Sequence, residues 1–246
     1  MAHRGTNHGS KPEHRRTEQE NRPMDINAKD TAVVITDPQN DFLSPDGATW
    51  GLVGDSVTEN RTVEHIDELV AAAKATEIGV FISPHYYYPT DAGWQFGGTI
   101  ENVMHEIDMF ARRDALSLEG FVGSGADWLD RFKPWITDGR TIVASPHKVY
   151  GPATNDLSLQ LRKRGIDKVV LAGMSANLCV EAHLRQLLED GFEVAVVADA
   201  TAGARHPQLG DGYESAVRNF GYLASAVLTT DEAVAAITGR VPAGVA

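Results

Sequence analysis

Three residues of this 246-residue chain carry side chains that could together perform nucleophilic catalysis. Asp37 stands in TDPQNDF, Lys148 in SPHKVYG, and Cys179, the single cysteine, in GMSANLC. A protonated thiol is a weak nucleophile, and a neighbouring cation or a helix N-terminus favours its thiolate. Asp37 can accept the thiol proton and later return it to a leaving amine. These residue types fit acyl transfer through a cysteine, with Lys148 expected to lie between the other two.

Each of the three residues also has an ordinary structural explanation. A cysteine between Leu178 and Val180 is often a small buried hydrophobic residue. An aspartate before Pro38 is often a turn residue, and a lysine after a strand is usually a solvated charge. Catalysis is favoured because the three residues follow three different predicted strands. The carboxyl ends of parallel strands meet at one edge of a sheet, where open α/β folds bind their ligands.

The elements that must position these residues alternate along the chain. Six short apolar runs predict strands, and four segments between them have helical periodicity. The predicted strands cover residues 31–37, 79–84, 141–146, 168–173, 193–199 and 224–230, and the predicted helices cover 63–76, 155–165, 178–191 and 212–224. Right-handed crossovers place helices on both faces of such a sheet. We predict an α/β fold of the Rossmann-like kind, a three-layer α/β/α sandwich around a doubly wound, mostly parallel six-stranded sheet.

The two ends of the chain differ in composition. Residues 1–28 are polar and nearly free of large apolar side chains, so burial cannot offset the entropy cost of ordering them. We predict a disordered N-terminal tail over 1–28, with its histidines His3, His8 and His14 solvated, and one folded domain over 29–246.

Composition also excludes several classes of function. The chain has 22 basic and 34 acidic residues and a formal net charge of -12, which disfavours binding to nucleic acid or to anionic membranes. One cysteine can form neither an internal disulfide nor a thiolate-rich metal site. We find no signal peptide and no apolar run long enough to span a membrane, so we expect a cytoplasmic protein. Its expected partner is a small-molecule substrate.

The predicted pocket includes a long aromatic connection that begins at His85 and runs to about Gly125, because long connections of this kind usually form lids or binding loops.

The backbone amides of Ser175 and Cys179 are the expected oxyanion donors. His147 and His183 are further candidates, and the sequence leaves open whether His85, His147 or His183 acts in catalysis. The predicted substrate-binding residues are Phe42, His85, Tyr86, Trp94, Tyr150 and Asn177.

Over residues 30–238 the chain resembles the isochorismatase-like cysteine hydrolases. The resemblance is carried by DPQNDF after the first strand, a lysine after the third and AGMSANLCVEA after the fourth. It implies a catalytic triad of Asp37, Lys148 and Cys179 and a cis peptide bond between Met174 and Ser175. It also implies a homo-oligomer, either a dimer or a tetramer.

One feature of some family members is missing from this sequence. Nicotinamidases carry an Asp and His set that binds a metal, drawn largely from the segment after the second strand. Here that segment reads SPHYYYPTDAGWQFGG and lacks an Asp-x-His pair. We therefore predict no metal and no cofactor, and we interpret His85 as a pocket or structural residue, because a metal site needs several convergent ligands.

Three functions remain open at this point. The leading one is a cysteine-dependent amidohydrolase that cleaves a C–N bond of a small amide, carbamoyl or ureido compound through a Cys179 thioester. The second resembles isochorismatase proper, a vinyl-ether hydrolase in which Asp37 is the essential acid and Cys179 is dispensable. The third is a non-catalytic small-molecule binder on the same scaffold. The presence of Cys179 favours the first.

Overall fold

A sheet of six parallel strands forms the centre of the computed structural model, which describes residues 24–240. The described residues form eight strands in all, six in this sheet and two outside it. In chain order they are β1 (Thr31–Thr36), β2 (Gly79–Ser83), β3 (Ile142–Val143), β4 (Lys168–Gly173), β5 (Glu193–Thr201), β6 (Arg205–His206), β7 (Gly210–Asp211) and β8 (Ala226–Leu228). Strands β6 and β7 form a separate antiparallel pair. The order across the main sheet is β3-β2-β1-β4-β5-β8, so the chain winds outward in both directions from β1 and β4. Such a reversal leaves a crevice at the carboxyl ends of those two strands.

Helices cover both faces of the sheet. They are α1 (Asn40–Leu43), α2 (Trp50–Glu59), α3 (Thr62–Ala75), α4 (Thr99–Glu106), α5 (Lys133–Ile136), α6 (Leu157–Lys163), α7 (Glu181–Glu189), α8 (Gly212–Leu223) and α9 (Thr230–Thr238). Short 3₁₀ turns lie at Asp91–Gly93, Asp130–Phe132 and Pro152–Thr154. Alternate residues of β1 face opposite layers, as strand geometry requires. Val33 and Ile35 pack with α2, α3 and α9, whereas Ala32 and Val34 pack with α6, α7 and α8.

This architecture confirms the predicted fold class. Strand β4 has the predicted bounds, and β1 and β2 each end one residue earlier than predicted. Gly165 and Gly191, the last residues of two predicted helices, have positive φ angles of 75° and 82°, which is typical of glycines that end helices.

The two edge strands are shorter than predicted. Strand β3 covers only residues 142–143, because the chain beyond it bonds to β2 through isolated contacts and Pro146 has no N–H to donate. Strand β8 ends at Leu228, so the prediction of strand through Thr230 was wrong. The Thr229 side chain accepts a hydrogen bond from the Glu232 amide and caps α9 instead.

Of the helices with nine or more residues, α2 and α9 were not predicted. The α2 segment contains Gly51 and Gly54 together with β-branched residues of low helix propensity. It forms because Val53 and Val57 are buried in the core beside α3. Tertiary packing therefore overrides local preference there.

Part of the predicted N-terminal tail is packed against the domain. Met24 is 8% exposed and belongs to the main hydrophobic core, and Thr31 donates a backbone hydrogen bond to Asn27 at 3.1 Å. The ordered chain thus begins before residue 29. The rest of the predicted tail, residues 1–23, lies outside the described residues, as do residues 241–246. Within the part of the chain that is described, no helix has the length and apolar character needed to cross a membrane.

Candidate active site

Asp37 lies at the carboxyl end of β1, in the crevice beside β4. Its side chain is fully buried, and its backbone adopts a left-handed φ of 46°, a conformation uncommon for residues other than glycine. Its amide donates to the Ser83 carbonyl at the end of β2, at 3.0 Å. The carboxylate accepts a hydrogen bond from His147 Nε2 at 2.8 Å, between two side chains that are both without solvent exposure. The partner of Asp37 in the site is therefore a histidine.

His147 takes the place that we expected Lys148 to occupy, and that expectation was wrong. The segment after β3 continues alongside the segment after β2, with a parallel bridge between His85 and His147. Successive side chains of an extended segment point to opposite sides, so only one of the two neighbours can face Asp37. The backbone bond from His147 to the Pro84 carbonyl, at 2.8 Å, sets this register.

Lys148 points away toward the aromatic connection. Its ammonium group donates to the Tyr86 carbonyl at 2.8 Å and forms a short contact with the Asp91 carboxylate. It also lies 4.0 Å from the centre of the Tyr88 ring. Asp91 in turn accepts a hydrogen bond from the Tyr88 amide at 2.8 Å. Lys148 therefore ties the chain after β3 to the chain after β2.

Cys179 lies in a π-helical turn, Ala176–Val180, that leads from β4 into α7. The thiol is fully buried, and its sulfur is 3.7 Å from the Val149 carbonyl oxygen. Burial raises the pKa of the Cys179 thiol well above its usual value, and the nearby Asp37 carboxylate raises it further. The expectation of a thiolate held by an adjacent lysine was therefore wrong. The resting group is a thiol beside a carboxylate that can accept its proton.

Two backbone amides oppose this effect. The nearby backbone N–H groups of Ser175 and Cys179 lower the thiol pKa. They are the two amides that the sequence predicts as oxyanion donors. The Met174–Ser175 peptide bond, for which the resemblance implies a cis geometry, is cis in the structure.

His85 completes the group of buried polar side chains around Cys179. Its ring lies 4.7 Å from that of His147, centre to centre, and neither of its nitrogens has a hydrogen-bond partner among the described residues. Burial holds the pKa of His85 well below its usual value, so the imidazole is neutral. Asp37 Oδ2 and His147 Nδ1 likewise lack partners.

Gln39 fixes the backbone of His85. Its amide nitrogen donates to the His85 carbonyl and its amide oxygen accepts from the His85 N–H, both at 2.9 Å. The same nitrogen donates to the Ala126 carbonyl at 2.9 Å. Sequence reasoning missed this role of Gln39, although the residue belongs to the DPQNDF motif that was singled out.

His183 has a structural position one helical turn after Cys179. Its Nδ1 donates to the Cys179 carbonyl at 2.6 Å, and its Nε2 lies 2.8 Å from the Ser83 hydroxyl oxygen. That hydroxyl also accepts from the Asn155 side chain at 2.9 Å. Burial lowers the pKa of His183 well below its usual value. A neutral imidazole thus links the nucleophile's turn to the end of β2.

Some of the predicted substrate-binding residues are buried, and others are exposed. Phe42 is a core residue, 3% exposed, with its ring edge-on to Phe110 at 5.2 Å. Tyr86 is also buried, and the Arg112 guanidinium lies 4.9 Å from its ring centre. Trp94 is 42% exposed and stands edge-on to the Tyr87 ring.

Tyr150 and Asn177 line a cavity of about 270 Å³ beside the nucleophile's turn. The other lining residues are Leu178, Glu181, Ala182 and Arg185. A second cavity, of about 220 Å³, is lined by Tyr87 and Tyr88, and the Tyr87 ring lies 4.6 Å from that of His85, centre to centre. The buried cluster around Cys179 belongs to neither lining.

Comparison with known proteins identifies relatives of this chain. The family model for the isochorismatase domain matches residues 31–232. Ureidoacrylate amidohydrolase RutB of Pseudomonas savastanoi pv. phaseolicola is 31% identical over 189 residues, which cover 73% of this chain and 73% of that protein. A RutB of Methylorubrum extorquens is 29% identical over 229 residues, covering 86% of this chain and 88% of that one.

Solved structures share the fold. A cysteine hydrolase from Pseudomonas syringae pv. phaseolicola has a TM-score of 0.71 at 22% identity, covering 88% of this chain and 96% of that chain. N-carbamoylsarcosine amidase from Thermoplasma acidophilum has a TM-score of 0.58 at 21% identity, covering 82% and 98% respectively. With the matched family model and the amidohydrolase relatives, these findings show that the chain belongs to the isochorismatase family.

Proposed function

We propose that this protein is a cysteine-dependent amidohydrolase that cleaves a C–N bond of a small amide, carbamoyl or ureido compound. The observation that carries the proposal is the buried arrangement of Cys179 beside the hydrogen-bonded pair of Asp37 and His147. The curated relatives named ureidoacrylate amidohydrolase support hydrolysis of C–N bonds. The solved N-carbamoylsarcosine amidase supports the same fold as a scaffold for such chemistry.

The first half of the reaction forms a thioester. Asp37 accepts the Cys179 proton while the sulfur attacks the carbonyl carbon, so the high pKa of the buried thiol is overcome only when substrate is present. The carbonyl oxygen gains negative charge, which the amides of Ser175 and Cys179 stabilise. Asp37 then returns the proton to the leaving nitrogen as the C–N bond breaks.

The second half regenerates the enzyme. Water attacks the thioester carbon and transfers a proton to Asp37, which delivers it to the departing sulfur of Cys179. His147 donates its Nε2 hydrogen to Asp37 and fixes the orientation of the carboxylate. In this scheme His147 has the role that the sequence suggested for Lys148. Lys148 has a positioning role in this scheme, because its ion pair with Asp91 fixes the chain there.

Intact-protein mass spectrometry tests the proposal. The wild type is mixed briefly with ureidoacrylate, carbamoyl amino acids, simple amides and a carboxylated vinyl ether, and ammonia is assayed in parallel. We expect a covalent adduct with the mass of the acyl part, present in the wild type and absent in Cys179→Ala. Turnover of the vinyl ether by Cys179→Ala, with loss in Asp37→Asn, would instead identify a vinyl-ether hydrolase. Absence of both activities, with Cys179 also inert to iodoacetamide in the native protein, would favour a non-catalytic binder.

We also propose a cytoplasmic location and a homo-oligomeric state, as a dimer or a tetramer. The location is supported by the single buried cysteine, which suits a reducing compartment. The oligomeric state is supported by the large apolar side chains that the connection between β2 and β3 exposes.

A further inference from the structure

Four potential ligand atoms converge in the buried crevice. One atom each from Asp37, His85, His147 and Cys179 lies within 4.8 Å of the other three, and all four residues are buried. Hydrogen bonds satisfy this group poorly. Both His85 nitrogens, Asp37 Oδ2 and His147 Nδ1 have no partner among the described residues. Buried polar atoms without partners are rare in proteins, so their concentration here calls for an explanation.

The donor set suits one class of ligand. Two imidazole nitrogens, a thiolate and a carboxylate oxygen are the ligands that Zn²⁺ takes in tetrahedral sites. Hard cations such as Mg²⁺ and Ca²⁺ require oxygen ligands throughout, so this set disfavours them. Ionised Asp37 and ionised Cys179 together carry two negative charges, which one divalent cation neutralises. A neutral complex is the form that a dry interior tolerates.

The geometry requires only a small adjustment. Zinc–ligand bonds of about 2.0–2.3 Å place tetrahedral ligands roughly 3.3–3.8 Å apart. The widest separation in the cluster, at most 4.8 Å, must therefore close by about 1 Å. The 2.8 Å separation of Asp37 and His147 must open. Gln39 holds the His85 backbone from outside the cluster, so on the His85 side this adjustment falls to the imidazole.

We propose that Asp37, His85, His147 and Cys179 form a binding site for a divalent transition-metal ion of the zinc class, and that occupancy of this site blocks hydrolysis. On binding, the Cys179 thiol gives up its proton to solvent and the sulfur forms a bond to the metal, with no change of oxidation state. The blocking half of this inference rests on the proposed function, because the metal sequesters the nucleophile and its base. The binding half stands on the geometry alone. This proposal departs from the sequence-based prediction of no metal, because the structure brings donor atoms of Asp37, His147 and Cys179 within 4.8 Å of His85.

Cobalt(II) is the probe for the binding half. The full-length protein is titrated with Co²⁺ and followed by absorption, since thiolate-to-cobalt charge transfer gives a near-ultraviolet band and tetrahedral Co²⁺ gives visible bands. We expect one Co²⁺ per chain, displacement by Zn²⁺ and no displacement by Mg²⁺. The band reports on Cys179 alone, as it is the only cysteine. Metal held by His3, His8 or His14 cannot produce it.

Two variants test the proposed ligands, and a third is their control. Cys179→Ser removes the charge-transfer band, and His85→Gln weakens Co²⁺ binding at least ten-fold, the loss that even a change behind a ligand causes. His65→Gln is the matched control, because His65 is a part-buried histidine bonded to the Asp199 carbonyl, away from the cluster. Circular dichroism verifies that each variant is folded. A missing charge-transfer band in the wild type, or a band unchanged in His85→Gln, would overturn the site.

Activity measurements address the blocking half separately. With a substrate identified by mass spectrometry, stoichiometric Zn²⁺ is expected to abolish turnover and EDTA to restore it. Full turnover with the site loaded would overturn the blocking role. A cobalt–thiolate band in a protein that hydrolyses no amide would refute the proposed function and leave the metal site standing.

Discussion

His147 and Lys148 are neighbours in the chain, but their side chains have different partners. His147 donates to Asp37 in the buried crevice, while Lys148 contacts Asp91 and the Tyr86 carbonyl beneath the aromatic connection. Because His147 and not Lys148 faces Asp37, the group that donates a hydrogen bond to the proposed base is an imidazole. This arrangement also decides which substitution should stop the chemistry.

We expect His147→Phe to lower kcat/KM by about 10²-fold or more, because Asp37 loses the hydrogen-bond donor that orients it as the base. Lys148→Met should lower kcat/KM less than about ten-fold and mainly reduce thermal stability, since Asp91 would be left buried without its cation. Steady-state kinetics and thermal melts on both variants separate the two effects. If Lys148→Met abolishes acylation as fully as Cys179→Ala does, the lysine of the sequence-based triad is the catalytic group after all.

The buried histidines make the free energy of unfolding depend on pH. In the unfolded chain His85 and His183 take up protons near pH 6.5, whereas burial lowers their pKa in the folded protein and keeps them neutral. The unfolded state therefore binds more protons below that pH, and the free energy of unfolding falls as the pH drops. Each histidine contributes a slope of about 1.4 kcal/mol per pH unit.

Urea denaturation at pH 7.5, 6.5 and 5.5 measures this dependence. His85→Gln should reduce the slope by about 1.4 kcal/mol per pH unit below pH 6. Replacement of the exposed His206 by glutamine is the control and should leave the slope unchanged. A wild-type stability that stays constant down to pH 5.5 would contradict neutral, buried imidazoles.

At the scale of elements, the site depends on the close approach of β1 and β4. Gly173 ends β4 with a φ of 111°, and a Cβ placed there would lie 2.1 Å from the Thr36 carbonyl oxygen. No other residue fits both the backbone conformation and the space. The turn toward Cys179 therefore begins at a position that only glycine can occupy.

We expect Gly173→Ala to cost more than about 3 kcal/mol of unfolding free energy, because backbone strain and a clash with β1 add together. Gly165→Ala provides a matched control, since Gly165 also has a positive φ, of 75°, but open space around its Cβ position. That control should cost only about 1–2 kcal/mol, the strain of a left-handed alanine. Chemical denaturation compares the two. Equal losses would show that the contact between β1 and β4 imposes no constraint.

At the scale of the whole molecule, the long connection between β2 and β3 exposes large apolar side chains. Phe96 is 89% exposed, Leu116 97% and Val122 81%. Exposed apolar groups collected on one connection commonly mark an interface. The formal net charge of -12 opposes nonspecific association, so an interface that overcomes it must bury apolar area.

Light scattering coupled to size exclusion should therefore report a dimer or a tetramer. The double variant Leu116→Ser and Val122→Ser should shift the mass toward the monomer, because both substitutions replace apolar contact area with hydroxyls. Leu209→Ser, at an exposed position on the hairpin of β6 and β7, is the control for a general surface effect. A wild-type protein that is monomeric at all concentrations would refute the prediction.

The local pattern of the sequence was sufficient to determine the α/β fold, the strands β1, β2 and β4, and the convergence of Asp37 and Cys179 at one sheet edge. These follow from periodicity and from the rule that parallel strands share a carboxyl edge. Only the tertiary structure decided that His147 rather than Lys148 faces Asp37, and that Gln39 holds His85. Both depend on how the segments after β2 and β3 pair, and a shift of one residue in that pairing exchanges inward and outward side chains. No local pattern contains that register, because it is set by contacts between residues distant in the chain.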